Sequence, residues 1–96
     1  MAYSKLIQNH RAEILALAER HGARDIRVFG SMARGDDNLG SDVDLLVNFE
    51  ETRSLWDHVA LKQDIEELLG RAVDVVSEPA IHWFIRDRVL REAIPL

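Results

Sequence analysis

The chain has no cysteine, so disulfide scaffolds, thiolate zinc sites and thiol nucleophiles are excluded. Proline occurs only twice in 96 residues, and there is no Pro/Ser-rich linker, internal repeat or low-complexity tract. No apolar run approaches the ~18 residues that mark a transmembrane helix. The first residues, Met1-Ala2-Tyr3-Ser4-Lys5, lack the basic-then-apolar pattern of a secretory signal. Together these absences make the cytoplasm the expected compartment and a membrane partner unexpected. A chain of this length is expected to form one domain, residues 1–96, with a modest core.

What is present is an ordinary globular balance: 47% hydrophobic and 30% charged residues, with a net charge of −5. The charge is uneven. Residues 1–35 sum to +3, residues 36–78 to −9 and residues 79–96 to +1. An acidic chain is a poor general binder of nucleic acid, because phosphate neutralisation supplies most of that affinity. An acidic middle is either a metal-holding region or a solvated surface, and composition does not choose between them.

Hydrophobic periodicity predicts alternating helices and strands. Residues 4–21 read as a helix capped by Ser4, with Leu6, Ile7, Ile14, Leu17 and Ala18 on one face and Gly22 as its stop. Residues 25–29 form a strand that runs into Gly30-Ser31 and a helical turn over 31–35. Residues 42–48 and 72–76 read as further strands. Between them lies a helix over 54–69, with Leu55, Leu61, Ile65, Leu68 and Leu69 as its buried stripe and Gly70 as its end. Pro79 suits the first turn of a last helix, 79–93. The fold class is α/β (α+β): a small mixed sheet of about three strands flanked by helices. The short link between the first two strands favours antiparallel pairing, and the helical link between the last two favours parallel pairing.

Asp42 and Asp44 stand at i and i+2 on a strand, so their side chains share a face, ~6.6 Å apart along the backbone. Two neighbouring carboxylates repel unless a cation lies between them. Hard oxygen ligands in that pattern suit Mg²⁺, which takes its remaining ligands from water and substrate phosphates. Asp74 sits between Val73 and Val75, where a charge is costly unless paired or near a metal. If its strand lies beside that of Asp44, three acids converge. Asp74 would then accept a proton from an incoming hydroxyl or help to place a second metal. Gly30 and Ser31, at a strand-to-helix turn, offer a phosphate cradle, and Arg34 adds a positive charge one turn on. The combination suits a metal-bound nucleoside triphosphate.

These residues carry a family resemblance. Gly30-Ser31-Met32-Ala33-Arg34-Gly35, then Asp42-Val43-Asp44 with ten residues separating Ser31 from Asp42, then Val73-Asp74-Val75-Val76 resemble the DNA polymerase β nucleotidyltransferase superfamily, and most of all its minimal nucleotidyltransferases, the MNT group. The resemblance spans essentially the whole chain and implies the nucleotidyltransferase fold. It implies Mg²⁺-dependent transfer of a nucleoside monophosphate to a hydroxyl, with Gly30, Ser31 and Arg34 on the nucleotide and Asp42, Asp44 and Asp74 as the metal-holding catalytic acids. It also implies a partner, a HEPN-family toxin, which such a domain would silence as antitoxin by moving AMP from ATP onto a toxin tyrosine. The alternatives are an antitoxin that acts by contact alone, and a transferase acting on RNA or a small hydroxylated compound.

A chain this small is expected to borrow its acceptor surface. Trp56 falls off the buried stripe of its helix. The last helix carries two apolar stripes, Ile81, Phe84, Ile85 and Val89 on one side and Trp83, Leu90 and Ile94 on the other. Trp56, Trp83, Leu90 and Ile94 are therefore the expected partner-facing residues. His10, His21, His58 and His82 show no metal-ligand spacing with one another.

Overall fold

β-branched and leucine residues at alternate positions of one central strand, Val43, Leu45 and Val47, are each at most 1% exposed, and the molecule is built around them. The computed structural model describes residues 4–36, 38 and 40–96. Its elements are α1 (Lys5–Asn9), α2 (Arg11–Arg20), β1 (Ala23–Phe29), α3 (Ser31–Arg34), β2 (Val43–Phe49), α4 (Leu55–Leu69), β3 (Val73–Ser77), a 3₁₀ turn (Glu78–Ala80), α5 (Trp83–Glu92) and β4 (Ile94–Pro95). The sheet order is β3-β2-β1-β4. As the connection lengths predict, β1 and β2 are antiparallel and β2 and β3 parallel.

One sheet face packs on the helices. Ile7 and Ile14 from α1 and α2, Met32 from α3, and Leu61 and Ile65 from α4 join Val28, Val43 and Leu45 in a continuous core. α4 is the best-defined helix. Ser54 accepts from Trp56 N–H while the Asp57 carboxylate accepts from Ser54 N–H, a reciprocal cap. Gly70 closes it in the left-handed conformation.

Six expectations are corrected. The helix over 4–21 is two helices joined at His10. The His10 ring Nδ1 donates to the Leu6 carbonyl at 2.9 Å, taking the acceptor that a continuous helix would give its backbone N–H. That N–H turns instead to the Ile7 carbonyl, and the helix axis is interrupted. The sheet has four strands rather than three, because Ile94–Pro95 pairs antiparallel with Arg27 and Val28. Two residues, one of them a proline, carry no strand signal, yet proline is tolerated on an edge. Leu96 N–H continues the pairing to the Ile26 carbonyl at 2.9 Å.

The third correction follows from the second: Ile94 packs against the core from β4 and does not belong to an exposed stripe. The last helix also starts late. The Pro79 turn stops at Ala80, Ile81 is extended, and His82 caps a fresh helix by accepting from Phe84 N–H at 3.1 Å. Within α5 only Val89 is buried, so Phe84 and Ile85 do not pack on the sheet as their spacing suggests. The sixth correction is Leu55, placed first in its helix and 75% exposed, beyond the reach of the stripe. Of the remaining stripe, Leu61, Ile65 and Leu69 are buried as expected and Leu68 is half-buried against the core.

Candidate active site

The second face of β2 carries Asp44, Leu46 and Asn48. Asp44 pairs in register with Phe29 on β1 and with Asp74 on β3. Directly opposed residues project to the same side of a sheet, so Asp74 stands beside Asp44. Asp42 lies two residues back, just before the strand, and is close enough for its charge to act on Asp44. The order across the sheet is therefore Asp74 at the edge strand, Asp44 in the middle, and the Gly30 turn at the end of β1.

Gly30 fits this place for two independent reasons. Its backbone is at φ +73°, ψ −152°, a region that is essentially closed to side chains. A Cβ built there would also run into Asp44 Oδ2. The glycine thus lets the turn press against the carboxylate while α3 begins immediately beyond, at Ser31. The N–H groups of Ala33 and Arg34 both donate back to the Gly30 carbonyl, at 3.1 and 3.2 Å, which ties α3 to the turn.

The electrostatics match the geometry. Asp44 is held above the ordinary carboxylate range, first by burial, then by the charge on Asp74 and next by that on Asp42. Arg34 opposes the shift and Glu92 adds to it. This is the signature of a half-buried carboxylate crowded by two others, and a cation among them would relieve it. Among the described residues no three His, Asp or Glu side chains enclose a metal site by themselves. A divalent ion here would be held by Asp42 and Asp44 and would complete its shell from substrate phosphates, which suits Mg²⁺.

Arg34 is less free than its sequence position suggests. Its Nε donates to Asp36 Oδ2 at 3.1 Å and its Nη1 to Glu92 Oε1, and both carboxylates stabilise its charge. Asp36 is thus not a bare loop acid, while its neighbour Asp37 lies outside the described residues, as does Leu39. Sequence reasoning missed Glu92 and Arg88, which line a cleft with Gly30 and Arg34. The available signal was their spacing of four on one helix face, flanking buried Val89.

The histidines hold structure. His21 Nε2 donates to Asp64 at 2.7 Å, and His58 donates to the Val75 carbonyl at 2.6 Å while stacking on Phe49. Of the expected partner-facing residues, Trp56 and Trp83 are about four-fifths exposed, at 81% and 78%. Leu90 is half-buried beside Asp87 and Arg91.

Known proteins are similar to this chain in sequence and fold. The nucleotidyltransferase domain family model matches residues 12–96, so the chain belongs to that family. Within it the chain groups with the minimal nucleotidyltransferases. The protein adenylyltransferase MntA of Thermococcus cleftensis is 43% identical over 89 residues, covering 93% of this chain and 87% of that protein. A solved structure provisionally named a minimal nucleotidyltransferase is 53% identical, with a TM-score of 0.85 over 94% of this chain and 92% of that one. A complex of the tri-AMPylated Shewanella oneidensis HEPN toxin with its MNT antitoxin gives a TM-score of 0.70 at 20% identity, over 92% of this chain and 69% of that one, a likeness of fold.

Proposed function

We propose that this nucleotidyltransferase moves AMP from ATP onto a tyrosine hydroxyl of a HEPN-family toxin and so acts as its antitoxin, with Mg²⁺ held by Asp42 and Asp44. The observation that carries the proposal is the register of Asp44 with Asp74, set against the Gly30 turn. When bound, the metal would neutralise the phosphate oxygens and polarise the phosphorus under attack.

The chain's own residues do the rest. The Gly30-Ser31 turn brings backbone and a hydroxyl close to the phosphates. Asp44, partly desolvated, is a strong electrostatic anchor because its charge is not dispersed into water. Asp74 is exposed on the edge strand, facing the side from which a protein acceptor can approach. Its carboxylate takes the hydroxyl proton as the oxygen bonds to the α-phosphorus. No hydroxyl of the described chain needs to serve as acceptor, since a partner supplies it. The exposed Trp83 and Phe84, together with Trp56, offer apolar area for that partner. The name of the 43%-identical relative and the AMPylated toxin in the structurally similar complex both favour protein as substrate.

The test is intact mass spectrometry of the HEPN partner after incubation with the protein, ATP and Mg²⁺. A gain of one or more AMP units, absent with the Asp42→Ala/Asp44→Ala double variant, is expected. An unmodified toxin, or a gain that persists in the double variant, contradicts the catalytic reading. If that variant still protects cells while Trp83→Glu does not, contact alone accounts for neutralisation.

A further inference from the structure

Beside the acids, the end of β1 and helix α5 enclose a cleft of about 180 Å³, open to solvent. Gly30 and Arg34 form one wall and Ile85, Arg88, Val89 and Glu92 the other. Its two guanidinium groups are in different states. Arg34 is tied to Asp36 and Glu92. Arg88 has no hydrogen bond or ion pair among the described residues, although Glu92 stands one turn away on its own helix. Glu92 is engaged by Arg34 instead. The cleft therefore presents one uncommitted positive charge on the far side of the Gly30 turn from the carboxylates.

The lateral order of the sheet gives that charge a role. Strands are spaced ~4.8 Å apart, so Asp74, Asp44 and the Gly30 turn mark successive steps across one face, and α5 lies beyond the last. Displacement at a phosphorus is in line: the entering and leaving oxygens lie on opposite sides. With the acceptor hydroxyl on the Asp74 side, the leaving group departs toward α5. We infer that Arg88 binds the β- and γ-phosphates of the triphosphate and neutralises the departing pyrophosphate. The inference rests on the nucleotidyl-transfer reading of the acidic site.

In the step itself the acceptor oxygen bonds to the α-phosphorus and the bond from that phosphorus to the bridging oxygen breaks. The electron pair remains on pyrophosphate, and the hydroxyl proton passes to Asp74. Charge accumulates on pyrophosphate as the bond breaks, and Arg88 meets it with a planar, permanently charged fork. Val89, buried between Arg88 and Glu92 in sequence, anchors this stretch of α5 to the body of the protein and fixes where the fork begins.

Arg88 is exposed, so its replacement leaves the core intact. The experiment compares wild type, Arg88→Ala and Arg88→Lys by calorimetric titration with Mg²⁺-pyrophosphate, Mg²⁺-ATP and AMP, alongside the AMP-transfer rate to the partner. Arg88→Ala is expected to weaken pyrophosphate and ATP by about tenfold, one charge-assisted contact, and to leave AMP within about twofold. The lysine variant should recover part of the loss. Equal pyrophosphate affinity in wild type and Arg88→Ala overturns the inference, as does a loss for AMP as large as that for ATP. Failure of the underlying reading looks different: the wild type itself would transfer no AMP, whatever the binding comparison shows.

Discussion

The two faces of β2 are made by the same seven residues and do opposite things. Val43, Leu45 and Val47 are at most 1% exposed and join helices α1, α2, α3 and α4 in one core. On the other face Leu46 is buried too, but Asp44 is set between Asp42 and Asp74 in a place that disfavours its charge. The packed face lowers the free energy of the fold, and the Asp44 position on the other raises it. A strand that spends stability at one position needs the close packing at the next, and a period of two is what lets a single strand do both.

That contrast can be broken from either side. The largest effect is expected on chemistry: Asp42→Ala or Asp44→Ala should lower the transfer rate on the order of a thousandfold, measured as AMP gained by the partner, while far-ultraviolet circular dichroism stays unchanged. On the packed face, Leu45→Ala should cost about 3 kcal/mol of stability by urea unfolding, through lost burial and the cavity left behind. Gly30→Ala belongs to both faces. It should cost about 2 kcal/mol from the strained backbone, and it should also weaken nucleotide binding because the new methyl displaces the Asp44 carboxylate.

The smallest effect has the opposite sign. Asp44→Asn should raise the melting temperature of the metal-free protein by up to a few degrees near neutral pH. The folded carboxyl is shifted upward, so the folded state holds its proton more tightly than the unfolded chain does. Its ionised form therefore destabilises the fold fully above the folded pKa. The penalty fades as pH falls through that pKa toward the unfolded value. The gap between wild type and Asp44→Asn should narrow on acidification. A variant less stable than wild type at every pH would contradict this electrostatic account of the strand.

Much of this arrangement is legible in the residues. The period of two from Val43 to Val47 and the spacing of Leu61, Ile65 and Leu69 are strong signals, because the same residues that form the element also bury it. The short β1–β2 link and the helical β2–β3 link gave the strand directions. Those directions in turn put Asp74 beside Asp44. What lay outside local pattern was lost. The break at His10 depends on a ring reaching its own helix's carbonyl. β4 exists only because β1 has an open edge for Ile94 and Pro95 to meet. The exposure of Leu55, Phe84 and Ile85 depends on where the sheet ends, which spacing within one helix does not record. The tie of Arg34 to Glu92 joins residues 58 positions apart and has no local signature.

The central claim is that Asp42 and Asp44 hold magnesium in front of the Gly30-Ser31 turn, with Asp74 beside Asp44 on the adjacent strand. Its most direct measurement is a calorimetric titration of a non-hydrolysable ATP analogue into wild type and the Asp42→Asn/Asp44→Asn variant, each with and without Mg²⁺. Binding to wild type should strengthen markedly with the metal, and the variant should lose that dependence. Nucleotide affinity that is indifferent to magnesium in wild type, or enhanced by it equally in both proteins, would contradict the account.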